Sequence, residues 1–371
     1  MSPARRRRAM LAFCAILAVL LASCSVLRRG PPRYAARPGP YDVLAQEDRA
    51  VVVRARRLLD QKESDAARDL LRRLSSEQPG NIPVGRLLQE VELECGTLPE
   101  ELLLRARARS ESAPSPAALL LAARLESDAA LGLEQVERAL SLDPLCAWAH
   151  YARAHLDARS GRWDAAQASV ARALEIDPGH LPSRRLETSL LARNGRRPDA
   201  ILALLRWLAA AGDDPFVSPS EAALAQLDLA QLLLLEGEHE RAFELLSEFD
   251  DTPGGASRRQ CLLAAAEQAL GRPRRALDAA LLAASEDPGN SLPLVQQALL
   301  FEEWLADPAA AREAWRRVLE QARQSGELGG LILSMRARVA LERSERARGE
   351  GPEEGTDLSP ASGAPESRDP R

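Results

Sequence analysis

One short stretch, GRWDAAQASVARALEIDP from Gly161 to Pro178, sets a register that most of the chain repeats. Ala166, Val170 and Ala173 recur at spacings of four and three, so they share one helix face, while Arg172 and Glu175 point elsewhere. Gly161 permits a turn before the helix, and Pro178, which has no N–H to donate, stops it. In that register Ala67, Glu101, Gly132, Ala166, Ala200, Ala242, Ala276 and Ala311 align, with separations of 34, 31, 34, 34, 42, 34 and 35. Gly161, Gly195, Gly237 and Gly271 mark the turn inside each helix pair, and Pro79, Pro144, Pro178 and Pro288 end the second helix. A period near 34 made of two helices predicts an all-α solenoid, in which each repeat buries its apolar face against its neighbours.

The composition fits an array. Hydrophobic residues make up 46% of the 371 positions but aromatic ones only 4%, which describes helices packed through small and aliphatic side chains. Lys62 is the single lysine among 49 basic residues, and the arginine excess reads as a coding bias.

With these residues in register the chain resembles the tetratricopeptide repeat family. Leu119-Leu120, Leu229-Ala230 and Leu263-Ala264 occupy its first-helix positions, and Ala276, Ala280, Ala283 and Pro288 its second-helix ones. The resemblance covers residues 47–325, about eight repeats, and implies a right-handed superhelix whose first helices line a concave groove. Two departures stand out. Glu101 takes the small position of the second repeat, so close helix packing is not expected there, and Arg153 and Asp157 take usually apolar positions in the fourth.

The N-terminus reads as an address. Arg5 to Arg8 precede thirteen apolar residues, Ala9 to Leu21, too few for the roughly 20 that span a bilayer. Leu21, Ala22, Ser23 and Cys24 then resemble the lipobox of bacterial lipoproteins, which implies cleavage after residue 23 and acylation of Cys24. By the same resemblance Ser25 implies an outer-membrane, periplasm-facing location where the source has two membranes. Removing residues 1–23 takes away four arginines and moves the formal charge from −5 to −9, against nucleic-acid binding. Residues 24–46 read as a Pro/Gly-rich tether, 326–348 as a C-terminal capping helix and 349–371 as a disordered tail. The interval of 42 contains an insertion, GDDPFVSPSE, through which Pro215 and Pro219 forbid a helix; Ser218 or Ser220 is placed to cap the helix that follows.

No catalytic, metal or cofactor motif emerges. His150, His155, His180 and His239 lie in no HExxH or nucleophile context, and Cys95, Cys146 and Cys261 lack metal-ligand spacing. A protein or peptide partner in the groove, and a membrane reached through acylated Cys24, are the expected contacts; no small-molecule substrate is. Projected at 100° per residue, Ala147, Ala154 and Ala158 share a packing face, while Trp148, His155 and Arg159, with Tyr151 at the border, face the groove. Arg124, Arg185, Arg193 and Arg258 fall at neighbouring groove positions. Rings beside guanidinium groups suit a segment bearing a carboxylate. The expected role is an adaptor in envelope assembly or export; the alternative is an accessory subunit that positions an envelope enzyme.

Overall fold

The computed structural model describes residues 41–248, 255–325 and 337–343. The lipobox, most of the tether and the C-terminal tail lie outside the described residues. Helix pairs follow one another: α1 (Gln46–Asp60) with α2 (Ser64–Glu77), α3 (Ile82–Glu94) with α4 (Pro99–Ser112), and α5 (Pro116–Ala123) with α6 (Ala129–Leu142). The series continues with α7 (Ala147–Arg159) and α8 (Trp163–Ile176), α9 (Leu181–Arg193) and α10 (Arg197–Ala211), and α11 (Pro219–Leu235) and α12 (His239–Ser247). Then come α13 (Ala256–Ala269) with α14 (Pro273–Glu286), and α15 (Leu292–Leu299), a π-helical turn at Leu300–Trp304, and α16 (Pro308–Ser325). No strand occurs among the described residues, and the architecture is an all-α solenoid of helix-turn-helix repeats. It forms two compact units, one ending at Leu245 and the other beginning at Leu246.

The small-residue column packs as the period requires. Ala67, Ala166, Ala200, Ala242 and Ala276 have 0% exposure, each fourth in its helix, and a larger side chain there would push the paired helices apart. The second repeat needs a correction. Its column residue is Leu102, 4% exposed, whereas Glu101 points to solvent. The cause is a turn one residue longer: α4 starts three positions after Gly96, while α8, α10 and α14 start two after Gly161, Gly195 and Gly271. At this turn the backbone is left-handed, with φ between 73° and 85° at the glycines. Lys62 (φ 62°) and Ala306 (φ 50°) occupy the same place in two repeats, where a Cβ makes that conformation costly.

Asp157 is also explained. It is 4% exposed and accepts from Arg162 Nε at 2.9 Å, so a residue of the turn neutralises the buried acid. Glu267 repeats the arrangement with Arg272, at 3.2 Å. Arg153 stays half-buried against Glu137 at 3.4 Å.

In the second unit Leu294, Val295, Trp315 and Val318 form a core that also buries Ala337. Residues 337–343 are helical, and Ala337, Ala340 and Leu341 pack on this core; the rest of the span expected to form a C-terminal cap lies outside the described residues. The insertion begins with a turn after α10; Ser218 caps α11, its Oγ accepting from the Glu221 N–H at 3.0 Å.

Candidate functional site

The first helices of five repeats, α1, α3, α7, α9 and α11, contribute side chains to one cavity of about 630 Å³ in the first unit. Two non-helical segments close over it. Residues 213–217 of the insertion reach α1: Arg49 Nη2 donates to the Asp213 carbonyl at 3.0 Å, and Arg56 donates to the Pro215 and Phe216 carbonyls at 3.3 and 2.6 Å. Phe216 packs on the apolar cluster of α1, α2 and α3. The other segment is residues 41–44, immediately before α1. Its Asp42 Oδ1 accepts from the Trp148 indole N–H at 2.5 Å, and its Tyr41 hydroxyl donates to Asp143 Oδ2 at 2.5 Å.

Trp148 is therefore not an open groove residue. It is 7% exposed: it belongs to an apolar cluster with Ile82, Leu120 and Leu156, Tyr41 packs on that cluster, and Asp42 takes its N–H. Helical projection placed it on the correct side but had no means of seeing a cover 106 residues away in sequence. Tyr151 meets Trp148 edge to face at 5.9 Å between centroids, and His180 meets Trp148 at 4.5 Å. Arg86, on α3, lies over the same two rings, with Cζ 5.0 Å from the Trp148 centroid and 5.8 Å from that of Tyr151.

Two donors in this cluster are unspent. Arg86 Nε is buried without a hydrogen-bond partner, and its guanidinium has no ion pair among the described residues. His180 is 3% exposed and caps α9: its Nδ1 accepts from the Ser183 N–H at 3.3 Å. A neutral ring that accepts at Nδ1 carries its proton on Nε2, and Nε2 is buried with no partner. Burial, reinforced by Arg86, lowers the His180 pKa to about 3 and keeps the ring neutral. A cation and a neutral N–H beside the same rings suit an anionic oxygen, since buried donors without acceptors are costly.

The acids around them are shifted upwards. Burial raises Asp42 to about 7, with Asp177 and Asp214 adding to the shift and the Trp148 N–H and Arg86 opposing it. Burial likewise raises Asp177, Asp214 and Glu221. His155 lines the cavity and is lowered by burial, then by Arg159, Arg86 and Arg124.

The other sequence candidates divide. Arg185 lines the cavity, pairs with Asp228 and lies 5.7 Å from the Trp207 ring. Arg124 is outside the cavity lining, donating to Gln89 Oε1 at 3.1 Å and Glu90 Oε1 at 2.9 Å. Arg159 is exposed and does not line the cavity. Arg193 stacks on Trp163 at 3.7 Å, in a separate surface depression. Arg258 belongs to the second unit. Arg86, His180 and Asp42 escaped the sequence reading. Arg86 was one arginine among many, and His180 sits between helices, where only its capping position gave a signal. Cys146 and Cys261 are buried and their thiols are raised to about 12 and about 11, chiefly by burial, as expected of packing residues.

No family model matches the chain, and a search of the curated proteins finds no match. Solved structures do resemble it. A chain of the APC/C hetero-tetramer Cut9-Hcn1 is 16% identical with a TM-score of 0.54, over 77% of this chain and 55% of that one. This protein thus spans about half the length of that relative. PilW, a widely conserved type IV pilus biogenesis factor, is 18% identical over 63% of this chain and 98% of its own, with a TM-score of 0.47. A tetratricopeptide repeat protein from Parabacteroides merdae is 15% identical over 69% and 100%, with a TM-score of 0.41. The fold is of the tetratricopeptide type.

Proposed function

We propose that this protein is a non-catalytic scaffold whose first unit receives an extended segment of a protein partner, with a carboxylate of that segment directed at Arg86. One observation carries the reading: a guanidinium with a buried, unpartnered Nε and no ion pair among the described residues lies over two aromatic rings in a 630 Å³ cavity. Trp207 and Arg185 extend the same wall, so rings supply contact area and cations select charge. We further propose that Cys24 is acylated and holds the scaffold at an envelope membrane, most simply the outer membrane facing the periplasm, where it supports an assembly or export machinery. The motif Leu21-Ala22-Ser23-Cys24 after an Arg-led apolar run supports this.

Partner capture from solubilised envelopes by the full chain tests the scaffold. A Trp148→Ala/Arg185→Ala double variant with native helicity is expected to lose the captured protein, and unchanged capture overturns the assignment of the face. Fatty-acid labelling tests the anchor: label is expected on the wild type and absent from Cys24→Ala, and a labelled Cys24→Ala protein contradicts it.

A further inference from the structure

One wall of the cavity in the first unit is a short peptide, the chain's own residues 42–44, which with Tyr41 are held against α3 and α7. The Tyr41 carbonyl accepts from the Ile82 N–H at 3.2 Å and the Val43 carbonyl from Asn81 Nδ2 at 3.3 Å, so the backbone is gripped by the start of α3. Side chains are read as well. The Tyr41 ring packs on the cluster containing Trp148 while its hydroxyl reaches Asp143, the Asp42 carboxyl takes the Trp148 N–H, and Leu44 packs on the cluster of α1 to α3. Backbone hydrogen bonds combined with pockets for particular side chains are how short peptides are recognised; Val43, 55% exposed, enters no such pocket. The occupant is poorly matched in one respect: Asp42 reaches Trp148 yet makes no ion pair with Arg86 among the described residues, and Asp177 and Asp214 are close enough to repel it.

Building on the proposed partner-binding role of this face, we propose that it binds a partner segment of the pattern aromatic, acidic, any residue, aliphatic, in the turn that Tyr41 and Asp42 make, with the third side chain left to solvent as Val43 is. Residues 41–44 are the built-in copy that such a segment displaces. In a partner the pattern's acid takes the Trp148 N–H that displacement frees, and a further carboxylate brought to Arg86 gains the ion pair the internal copy lacks. The internal copy has the advantage of being tethered, which lowers the apparent affinity of any competitor by the fraction of time the face is open.

The test uses the full chain in detergent and a fluorescein-labelled peptide copying residues 41–46, followed by anisotropy. A Tyr41→Ala/Asp42→Ala variant is expected to bind the peptide about tenfold or more tightly than the wild type. An otherwise identical peptide with arginine in place of its acid is expected to bind neither protein. Asp42→Ala alone, which keeps the Tyr41 packing, covers the case of a double variant that does not fold, and is expected to shift in the same direction. A natively helical variant that binds the peptide no better than wild type, or accepts the arginine peptide equally well, overturns the proposal. So does concentration-dependent dimerisation in which residues 41–44 of one copy fill the other, because the occupant is then a second copy. Loss of envelope capture in Trp148→Ala/Arg185→Ala is read separately: if it occurs while the peptide fails, the face still binds a partner, but not one of this pattern.

Discussion

Replacing Asp42 by Asn removes one identifiable part of the pH dependence of stability. Asn keeps an oxygen to accept from the Trp148 N–H but cannot titrate, so the contact remains and the proton linkage goes. In the folded protein Asp42 titrates at about 7 against an ordinary 3.8, so between those values the folded state holds a proton that the unfolded chain lacks. Its contribution is fully present below 3.8 and is lost as pH rises through 7, amounting to about 4 kcal/mol if the whole displacement is realised. His180 runs the other way. Its folded value of about 3 lies below the ordinary 6.5, so its contribution is present above 6.5 and is lost as pH falls towards 3. Across the shared window, each slope is about 1.4 kcal/mol per pH unit with opposite sign, and the pair nearly cancels. Asp177, Glu187, Asp214 and Glu221, all raised, remain in both proteins and largely cancel in the difference. Urea unfolding of wild type and Asp42→Asn at pH 4.5, 5.5, 6.5 and 7.5, followed by circular dichroism, gives that difference. The variant is expected to lose stability relative to wild type as pH falls, by about 1 kcal/mol per pH unit between pH 6.5 and 4.5 and by less above that. A difference that stays constant within about 0.3 kcal/mol across the series refutes the buried titration of Asp42.

Other outcomes follow from the turn, the column and the insertion. Lys62→Gly and Ala306→Gly each place glycine where φ is positive, and are expected to raise stability by roughly 1 kcal/mol in urea titrations; a loss contradicts the turn geometry. Leu102→Ala is expected to cost about 2 to 4 kcal/mol while Glu101→Ala stays within about 0.5, because only the former is buried in the α4 packing face; the reverse order would restore Glu101 to the column. Phe216→Ser removes the apolar anchor of the insertion on α1 to α3, so limited proteolysis is expected to cut at residues 213–217 faster than in wild type, and equal rates refute the anchoring.

The repeat period and the fold class were legible because Ala67, Ala166, Ala200, Ala242 and Ala276 obey a local packing rule that sequence spacing records directly. The slip at Glu101 came from the extra turn residue before Pro99, which a fixed period cannot register. Projection put Trp148, Tyr151 and His155 on neighbouring sides of α7, and all three line the cavity. What covers them was not legible. The Asp42 to Trp148 and Arg56 to Phe216 contacts span 106 and 160 residues, and they depend on how the first unit brings its first repeat to the fourth and to the insertion after the fifth, which no local pattern encodes. Arg86 illustrates the same limit: its significance lies in lacking a partner, and a chain rich in arginine gives no hint of which one is unpaired.

The most direct measurement places a photo-reactive benzoylphenylalanine at Ser189, an exposed residue of the cavity wall, and at Arg172, an exposed residue of α8 outside it. After irradiation of envelopes containing either full-length protein, a discrete protein adduct is expected from Ser189 and not from Arg172. No adduct at Ser189, or the same adduct from both positions, contradicts the assignment of this face as the partner site.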